Sequence, residues 1–266
     1  MSHFAGRTVW ITGASSGLGR AMAKELAKNN ARLILSGRDM KRLHEVEAEC
    51  SMAQEVHLIS LDLEEREGIE RIFEDHISLL EEVDILINNA GLSQRSLVRD
   101  TNFEVYRRLI DVNYLGTVLL SLNMLKIFRK KRSGHFVIIS SMAGKFGVPL
   151  RSGYSAAKMA LDGFFETLRA ETDIEDLSIT TIYPAFIRTN VSVNALTAEG
   201  GAQGTMDDAQ EKGMSPEQFA KKALRAISKK EAEVMIGGFK ATTLADLVNR
   251  FFPGLFRKMI RRSKVT

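Results

Sequence analysis

The chain has 266 residues, of which 44% are hydrophobic and 26% are charged, a composition typical of a globular protein with one large core. Its single cysteine, Cys50, excludes an internal disulfide and a metal site built on cysteines. No run of eighteen apolar residues is present to span a membrane, and the segment before Arg7 is too short and polar for a signal peptide. We therefore expect a cytoplasmic protein.

The net charge of +4 is unevenly distributed along the chain. Residues 240–266 carry seven basic side chains and one acidic one, so this segment is +6 and the remainder is −2. A main body of this charge does not indicate nucleic-acid binding. No metal site is expected either, because the five histidines are not spaced along the chain as metal ligands usually are. They are His3, His44, His57, His76 and His135.

Short apolar runs rich in β-branched residues alternate with helical patterns from the first residues onward. The runs predict buried parallel strands, the last of them weaker, at Thr8–Ile11, Leu33–Leu35, Val56–Leu61, Val83–Ile87, Phe136–Ile139, Ile179–Ile182 and Glu233–Ile236. Helices are predicted at Leu18–Lys28, Met40–Glu49, Glu65–Leu80, Phe103–Lys131 and Ala156–Glu171. The alternation predicts an α/β fold of the Rossmann type, a doubly wound, seven-stranded parallel sheet with helices on both faces.

Two segments interrupt this alternation. Residues 189–214 have no clear period and several glycines, which is typical of a lid or binding loop. In the tail, apolar residues recur at helical spacing beside basic ones, and Pro253 either kinks this helix or starts a second one. Such a helix suits an anionic membrane surface, or it packs on a neighbouring subunit with its basic end in water.

A glycine-rich turn follows the first predicted strand and precedes a helix. Glycines let the backbone approach a pyrophosphate, whose charge is favoured at a helix N-terminus. The turn predicts a dinucleotide site that includes Gly13, Ser15, Ser16, Gly17, Leu18 and Gly19.

The residue after the second strand bears on which dinucleotide is bound. NAD-binding proteins usually place an acidic residue near this point, whereas this chain has Arg38, which suits a 2′-phosphate. Ser15 is placed to add a hydroxyl to that phosphate. The alternative is that Arg38 is a surface charge and Asp39 a helix N-cap. We favour NADP(H).

Tyr154 and Lys158 are four residues apart at the start of a predicted helix, which places the phenol and the ammonium on one face. A nearby cation stabilises phenolate and lowers the pKa of a phenol from about 10, which suits it to proton transfer. Ser141 follows a strand, where its hydroxyl is placed to bond a substrate oxygen, and Asn113 lies within a long predicted helix. Each of these residues, taken singly, also has a purely structural interpretation.

Taken together, these motifs resemble the short-chain dehydrogenase/reductase superfamily over nearly the whole chain. The resemblance rests on the glycine turn, on Asp62, on Asn88-Asn89-Ala90-Gly91 and on the order of Asn113, Ser141, Tyr154 and Lys158. It implies that Tyr154 is the acid/base, that Lys158 also binds the nicotinamide ribose, and that Asn113 holds a water in a proton relay. It further implies cofactor contacts from Asp62, Leu63, Asn89, Ala90, Gly91, Ile187 and Thr189. Ala185 departs from the family pattern, which usually has glycine there.

The resemblance also implies a domain organisation and an assembly. One domain covers 1–266, with residues 1–130 mainly binding the cofactor and 131–238 forming the catalytic half. That half contains the lid at about 189–214, and 239–266 form a basic amphipathic tail. A homodimer or homotetramer is implied as well.

Further stretches resemble the eleven-beta-hydroxysteroid-dehydrogenase-like branch: 89–96, 144–145, 189–197 and 253–256. This branch implies a lipophilic ketone or secondary alcohol, steroid-like or lipid-like, as substrate. The alternatives are a reductase of small polar carbonyls or a non-catalytic, nucleotide-sensing protein. The last is disfavoured because Ser141, Tyr154 and Lys158 are all present.

Overall fold

The structure is a computed structural model that describes residues 3–237 and 239–262. Seven parallel strands form one sheet in the order β3-β2-β1-β4-β5-β6-β7. The strands are β1 Thr8–Thr12, β2 Arg32–Gly37, β3 Glu55–Ser60, β4 Val83–Asn88, β5 Ser133–Ile139, β6 Asp176–Pro184 and β7 Glu233–Ile236. The predicted fold class is therefore confirmed.

The connecting helices are α1 Gly17–Ala27, α2 Met40–Glu49, α3 Arg66–Asp75, α4 Ile77–Leu80, α5 Phe103–Ile110, α6 Thr117–Lys131, α7 Met142–Lys145, α8 Ser152–Glu171, α9 Asp208–Glu211, α10 Pro216–Ser228, α11 Phe239–Phe251 and α12 Pro253–Arg262. Buried residues of α1, α2 and α10 pack on one face of the sheet, and those of α3, α6 and α8 pack on the other. Helices on both faces explain why the central strands are mostly buried on both of their sides.

The strand order reverses between β1 and β4. β1 pairs with β2 on one side and with β4 on the other, so the chain leaves the sheet in opposite directions at this point. In such sheets a crevice opens beyond the carboxyl ends of these two strands, and ligands bind there. The segments that follow β1 and β4 carry the predicted nucleotide motifs.

The helix predicted at Phe103–Lys131 is present over its whole length, but its middle has π-helical geometry. α5 passes directly into a π-helical segment at Asp111–Gly116, and that segment passes directly into α6. The π-helical segment lies at a close backbone contact, because a Cβ built on Gly116 would lie 2.1 Å from the carbonyl oxygen of Leu63. Single π-helical turns are frequent at functional sites.

Two other helix predictions also needed adjustment. The helix predicted at Glu65–Leu80 breaks at His76 into α3 and α4, where the His76 backbone is not helical. The helix predicted from Ala156 begins earlier, so that Tyr154 lies in the first turn of α8. Such boundaries depend on tertiary contacts that local patterns do not contain.

Residues 189–214 and the tail interrupt the alternation of strands and helices in the structure. Within 189–214 the structure has turns, isolated bridges and the short α9. In the tail, Pro253 starts a second helix, whereas Lys264, counted among the basic tail residues, lies outside the described residues. In the described part of the chain, none of the helices combines the length and the apolar character needed to cross a bilayer.

Candidate functional site

The turn between β1 and α1 depends on its glycines. Gly13 and Gly17 have φ of +65° and +54°, a region that side chains with a Cβ rarely occupy. A Cβ built on Gly19 would lie 2.3 Å from the carbonyl oxygen of Gly13. The turn therefore brings bare backbone and the N-terminus of α1 to the carboxyl edge of the sheet, where an anionic group is favoured.

Residues after β4 hold this turn in place. The Asn89 Nδ2 donates to the carbonyl oxygens of Thr12 and Gly13 at 2.8 and 3.1 Å. The Thr12 hydroxyl accepts from the backbone amides of Asn89 and Ala90, both at 3.0 Å. Asn89 thus braces the glycine turn, and Thr12, which the sequence analysis did not single out, is its counterpart on β1.

The end of β2 brings three polar side chains together. A Cβ built on Gly37 would lie 3.5 Å from the Ser15 Oγ, so Ser15 lies beside the residue that precedes Arg38. The Arg38 guanidinium is half-exposed and lies 3.8 Å from the Asp62 carboxylate. A cavity of about 540 Å³ adjoins this group and is lined in part by Arg38, Ser60 and Asp62.

Asp39 is the N-cap of α2 and accepts a hydrogen bond from the Arg42 backbone amide at 3.1 Å. The alternative interpretation is thus right that Asp39 is an N-cap. The Asp39 carboxylate does not pair with Arg38, whose guanidinium lies near Asp62 instead.

Tyr154 and Lys158 lie one turn apart on α8, as their spacing predicted. The Lys158 Nζ lies 5.9 Å from the centroid of the Tyr154 ring and donates to the carbonyl oxygen of Ile139 at 2.8 Å. Lys158 is only 4% exposed. Burying an ammonium is costly unless hydrogen-bond acceptors or anions surround it. The Ile139 carbonyl oxygen supplies one such acceptor for Lys158.

Asn113 lies in the π-helical segment and is completely buried. Its Oδ1 accepts from the Leu92 amide at 2.9 Å, and its Nδ2 donates to the Leu92 carbonyl at 3.0 Å. A Cβ built on Gly91 would lie 2.5 Å from the Asn113 Oδ1 and 3.7 Å from the Lys158 Nζ. Gly91, Asn113 and Lys158 therefore converge, and the Asn113 amide holds the loop after β4 against the π-helical segment.

Ser141 lies two residues after the end of β5 and is the N-cap of α7. Its Oγ accepts from the Ala143 amide at 3.1 Å, which leaves the hydroxyl hydrogen as a donor. Ser140 beside it donates to the Asp162 carboxylate at 2.9 Å. Burial raises the pKa of Asp162, while hydrogen bonds from Ser140 and Tyr183 oppose that rise.

A second buried polar cluster joins the lid to the segments around Tyr154, and sequence reasoning missed it. Asp207 of the lid accepts from Arg95 at 2.9 Å and lies 3.3 Å from Arg151, with all three side chains mostly buried. Burial lowers the pKa of Arg151 to about 10, aided by the charge of Arg95. No local pattern could have found this cluster, since its members are up to 112 residues apart.

The two site residues predicted after β6 also reach this region. Ile187 is buried and its backbone pairs with Met214. Thr189 contacts the glycine turn, because a Cβ built on Gly17 would lie 3.6 Å from its side chain. The departure at Ala185 leaves the backbone path intact, since the Ala185 amide donates to the carbonyl oxygen of Ile236 at 2.9 Å.

The arrangement resembles known proteins in sequence and in fold. The sequence profile described as short chain dehydrogenase matches residues 7–200. The chain belongs to this family. Among its relatives, Dehydrogenase/reductase SDR family member 7B of Xenopus laevis is 39% identical over 255 residues, which cover 93% of this chain and 79% of the relative. The resemblance drawn from the sequence motifs is confirmed, and this short chain dehydrogenase is an oxidoreductase.

Solved structures of the family have the same fold. An alcohol dehydrogenase from Thermococcus sibiricus, complexed with 5-hydroxy-NADP, has a TM-score of 0.73 and 26% identity, covering 87% of this chain and 96% of that one. A short chain dehydrogenase/reductase from Burkholderia phymatum in complex with NAD has a TM-score of 0.83 and 21% identity, covering 96% of both chains. The fold of this short chain dehydrogenase is thus one that carries nicotinamide dinucleotides in its relatives.

Proposed function

We propose that this short chain dehydrogenase/reductase transfers a hydride between NADP(H) and a carbonyl or alcohol, with Tyr154 as its proton donor and acceptor. The observation that carries the proposal is the buried Lys158 ammonium one turn from the Tyr154 phenol, at the carboxyl edge of the sheet. Proton transfer to a substrate oxygen is the chemistry that such a pair performs.

The residues around this pair have separate roles in the proposed reaction. In the reducing direction Tyr154 gives its phenolic proton to the oxygen of the carbonyl, and in the oxidising direction it takes the proton from the alcohol. The Ser141 hydroxyl donates a hydrogen bond to the same oxygen and fixes its position. Asn113 holds the loop at Leu92 against the π-helical segment, and we assign it a place in the proton relay to Tyr154.

The residues at the switch point fit a dinucleotide. The φ values of Gly13 and Gly17, and the bare backbone at Gly19, leave room for a pyrophosphate at the N-terminus of α1. NADP(H), when bound, supplies or accepts the hydride. Binding contacts are assigned to Ser16, Leu18, Asp62, Leu63, Asn89, Ala90, Gly91, Ile187 and Thr189, with Lys158 on the ribose.

NADP(H) is preferred to NAD(H) because of the group at the end of β2. Arg38 supplies a half-exposed guanidinium at this point, and Ser15 a neighbouring hydroxyl. Guanidinium and hydroxyl groups form strong hydrogen bonds with the oxygens of a 2′-phosphate, whereas their hydrogen bonds with the 2′-hydroxyl of NAD(H) are weaker.

The substrate is proposed to be a lipophilic ketone or secondary alcohol, steroid-like or lipid-like. Exposed apolar side chains of α11, of α12 and of the residue between them support this proposal: Leu244, Leu247, Phe251, Phe252, Leu255 and Met259. α12 is joined to the segment beside Ser141, since the rings of Phe256 and Phe146 lie 4.7 Å apart. An apolar, basic tail next to the site would deliver a lipid from an anionic membrane surface. The alternative occupant of this face is a neighbouring subunit of a homodimer or homotetramer.

The test of the reaction is NADPH oxidation over a panel of carbonyls, from small aldehydes and diketones to ketosteroids, retinal and lipid ketones. Tyr154→Phe removes the proton donor and is expected to lower turnover by roughly 10²- to 10⁴-fold, with cofactor binding nearly unchanged. Tyr114→Phe is the matched control, because the Tyr114 ring is partly buried against the core on the side of the sheet that α6 covers, and the substitution keeps that ring. Its turnover should stay near that of the native protein.

Each outcome of this panel separates the candidate functions. Tyr154-dependent turnover of the lipophilic members alone supports the proposal in full. Turnover of small polar carbonyls alone keeps the chemistry and replaces the substrate class. NADPH binding without turnover of any member favours the nucleotide-sensing alternative, and near-normal turnover in Tyr154→Phe removes Tyr154 from the reaction.

A further inference from the structure

Gln94 is a completely buried polar side chain that lies in the loop after β4. Its Oε1 accepts hydrogen bonds from two backbone amides at the start of α8, those of Gly153 at 2.8 Å and Tyr154 at 3.3 Å. Because both amides can only donate, the amide oxygen must be the atom that faces them. A residue 60 positions earlier in the chain thus contacts the backbone of Tyr154 directly.

The start of α8 needs such an acceptor. The first amides of an α-helix have no partner within the helix, and an N-cap side chain usually accepts from them. The residue at the N-cap of α8 is Arg151, and a guanidinium has no acceptor atom. Gln94 therefore performs from another segment the capping function that Ser, Thr, Asp or Asn performs within a helix.

Gly153 makes room for this contact. A Cβ built on Gly153 would lie 3.3 Å from the Gln94 Oε1 and 2.9 Å from side-chain atoms of Tyr106 and Leu109. The helix start is consequently packed closely against α5 and the loop after β4. Tyr154, as the next residue, has its backbone position set by these contacts.

The Gln94 side chain is itself held from several sides. Its Nε2 is within hydrogen-bond distance of the hydroxyls of Ser96 at 3.0 Å, Thr101 at 3.3 Å and Ser152 at 3.4 Å. The backbone beside it pairs with the lid, since the Arg95 amide donates to the carbonyl oxygen of Leu196 at 2.8 Å. An amide fixed at both ends and in its backbone cannot change rotamer without breaking several buried hydrogen bonds.

We propose that Gln94 is a positioning residue for catalysis, which caps α8 from the loop after β4 and thereby holds the Tyr154 phenol where it reaches the substrate oxygen. This proposal rests on the proposed role of Tyr154 as proton donor. Displacing a reacting group by about 1 Å costs up to about 100-fold in rate, so the loss of the cap acts on turnover through Tyr154.

The test compares two substitutions that differ at the acceptor. Gln94→Met keeps the length of the side chain and removes its oxygen, whereas Gln94→Glu keeps an oxygen that accepts from the two amides. Gln94→Met is expected to lower kcat roughly 10- to 100-fold and to change the NADPH Kd less than about twofold. Gln94→Glu is expected to recover most of that loss. Gln94→Asn keeps a polar amide but shortens the side chain by one methylene, which moves its oxygen away from the two backbone amides. Gln94→Asn takes the place of Gln94→Met if Gln94→Met folds poorly.

Two controls separate positioning from general damage. Gln218 belongs to the capping box of α10, a helix on the opposite face of the sheet from α8. Gln218→Met therefore removes a glutamine from another helix start and should leave kcat unchanged. In a Tyr154→Phe background, Gln94→Met should lower kcat by less than about twofold, because effects that act through one group are not additive.

The proposal is overturned if Gln94→Met lowers kcat by the same factor with and without the Tyr154 hydroxyl, or if Gln94→Glu is as slow as Gln94→Met. An unchanged kcat in Gln94→Met or Gln94→Asn would overturn it as well. A failure of Tyr154 itself is recognised separately, since then Tyr154→Phe alone would keep near-normal turnover.

Discussion

At the residue scale, the proposed preference for NADP(H) depends mainly on Arg38. Its guanidinium is half-exposed and is held only loosely by Asp62 at 3.8 Å. Ion pairs of this exposure contribute little to stability, so the group is free to turn to a stronger anion without a large loss. The same position occupied by a carboxylate would instead favour the ribose hydroxyls of NAD.

The Arg38→Glu variant is therefore expected to weaken NADPH binding about 10- to 100-fold, the loss of one to two charge-assisted hydrogen bonds, and to weaken NADH binding far less. Titrations of both cofactors, followed by nicotinamide fluorescence, measure this difference. Arg42→Glu is the matched control, since Arg42 has a similar exposure and pairs with Asp39. Equal losses for NADPH and NADH in Arg38→Glu would contradict its role in cofactor choice.

At the scale of elements, β5 carries a buried histidine into the sheet. The His135 ring is 2% exposed and its Nε2 lies 2.8 Å from the Thr180 hydroxyl of β6. Burial lowers the pKa of His135 to about 3, with help from the charge of Lys230. Below pH 6.5 the unfolded chain binds a proton at this histidine and the folded chain does not, so folding stability falls as the pH drops from 6.5 towards 3.

His135→Gln keeps a polar partner for Thr180 and removes this titration. As the pH is lowered from 6.5 to 4, we expect the free energy of unfolding to fall more steeply in the native chain than in His135→Gln. The difference between the two slopes is expected to be up to about 1.4 kcal/mol per pH unit. Urea unfolding at several pH values measures both slopes. Identical slopes for the native chain and His135→Gln would count against a neutral, buried His135.

At the scale of the whole molecule, the tail adds a surface of exposed apolar side chains to the α/β domain. Phe252 and Leu255 are 63% and 53% exposed, and Phe256 anchors the helix that carries Leu255 by packing on Phe146. Exposed apolar side chains beside basic ones suit a lipid surface better than water.

The double variant Phe252→Ser/Leu255→Ser is expected to lower binding to vesicles of phosphatidylcholine and phosphatidylserine about tenfold or more, since each buried side chain contributes roughly 1.5–3 kcal/mol. Co-sedimentation of the full chain with vesicles measures it, and Phe103→Ser is the control, a phenylalanine 76% exposed on α5. If the native chain does not bind vesicles, and the double variant instead dissociates in sedimentation velocity, the tail is a subunit interface.

The sequence by itself determined the fold class, the glycine turn and the pairing of Tyr154 with Lys158. These features are local, because strand and helix periods, a turn that requires glycine and an i, i+4 spacing are all contained within a few residues. For the same reason the start of the second tail helix at Pro253 was among the predicted outcomes.

Only the tertiary structure decided how the site is held together. The π-helical geometry of Asp111–Gly116 within the predicted long helix lies where Gly116 approaches Leu63, 53 residues earlier in the chain. The cap of α8 by Gln94 and the ion pair of Arg95 with Asp207 join positions 59 and 112 residues apart. Periodicity carries no information at these separations, because such contacts depend on where whole elements pack, and the packing exists only after the sheet has formed.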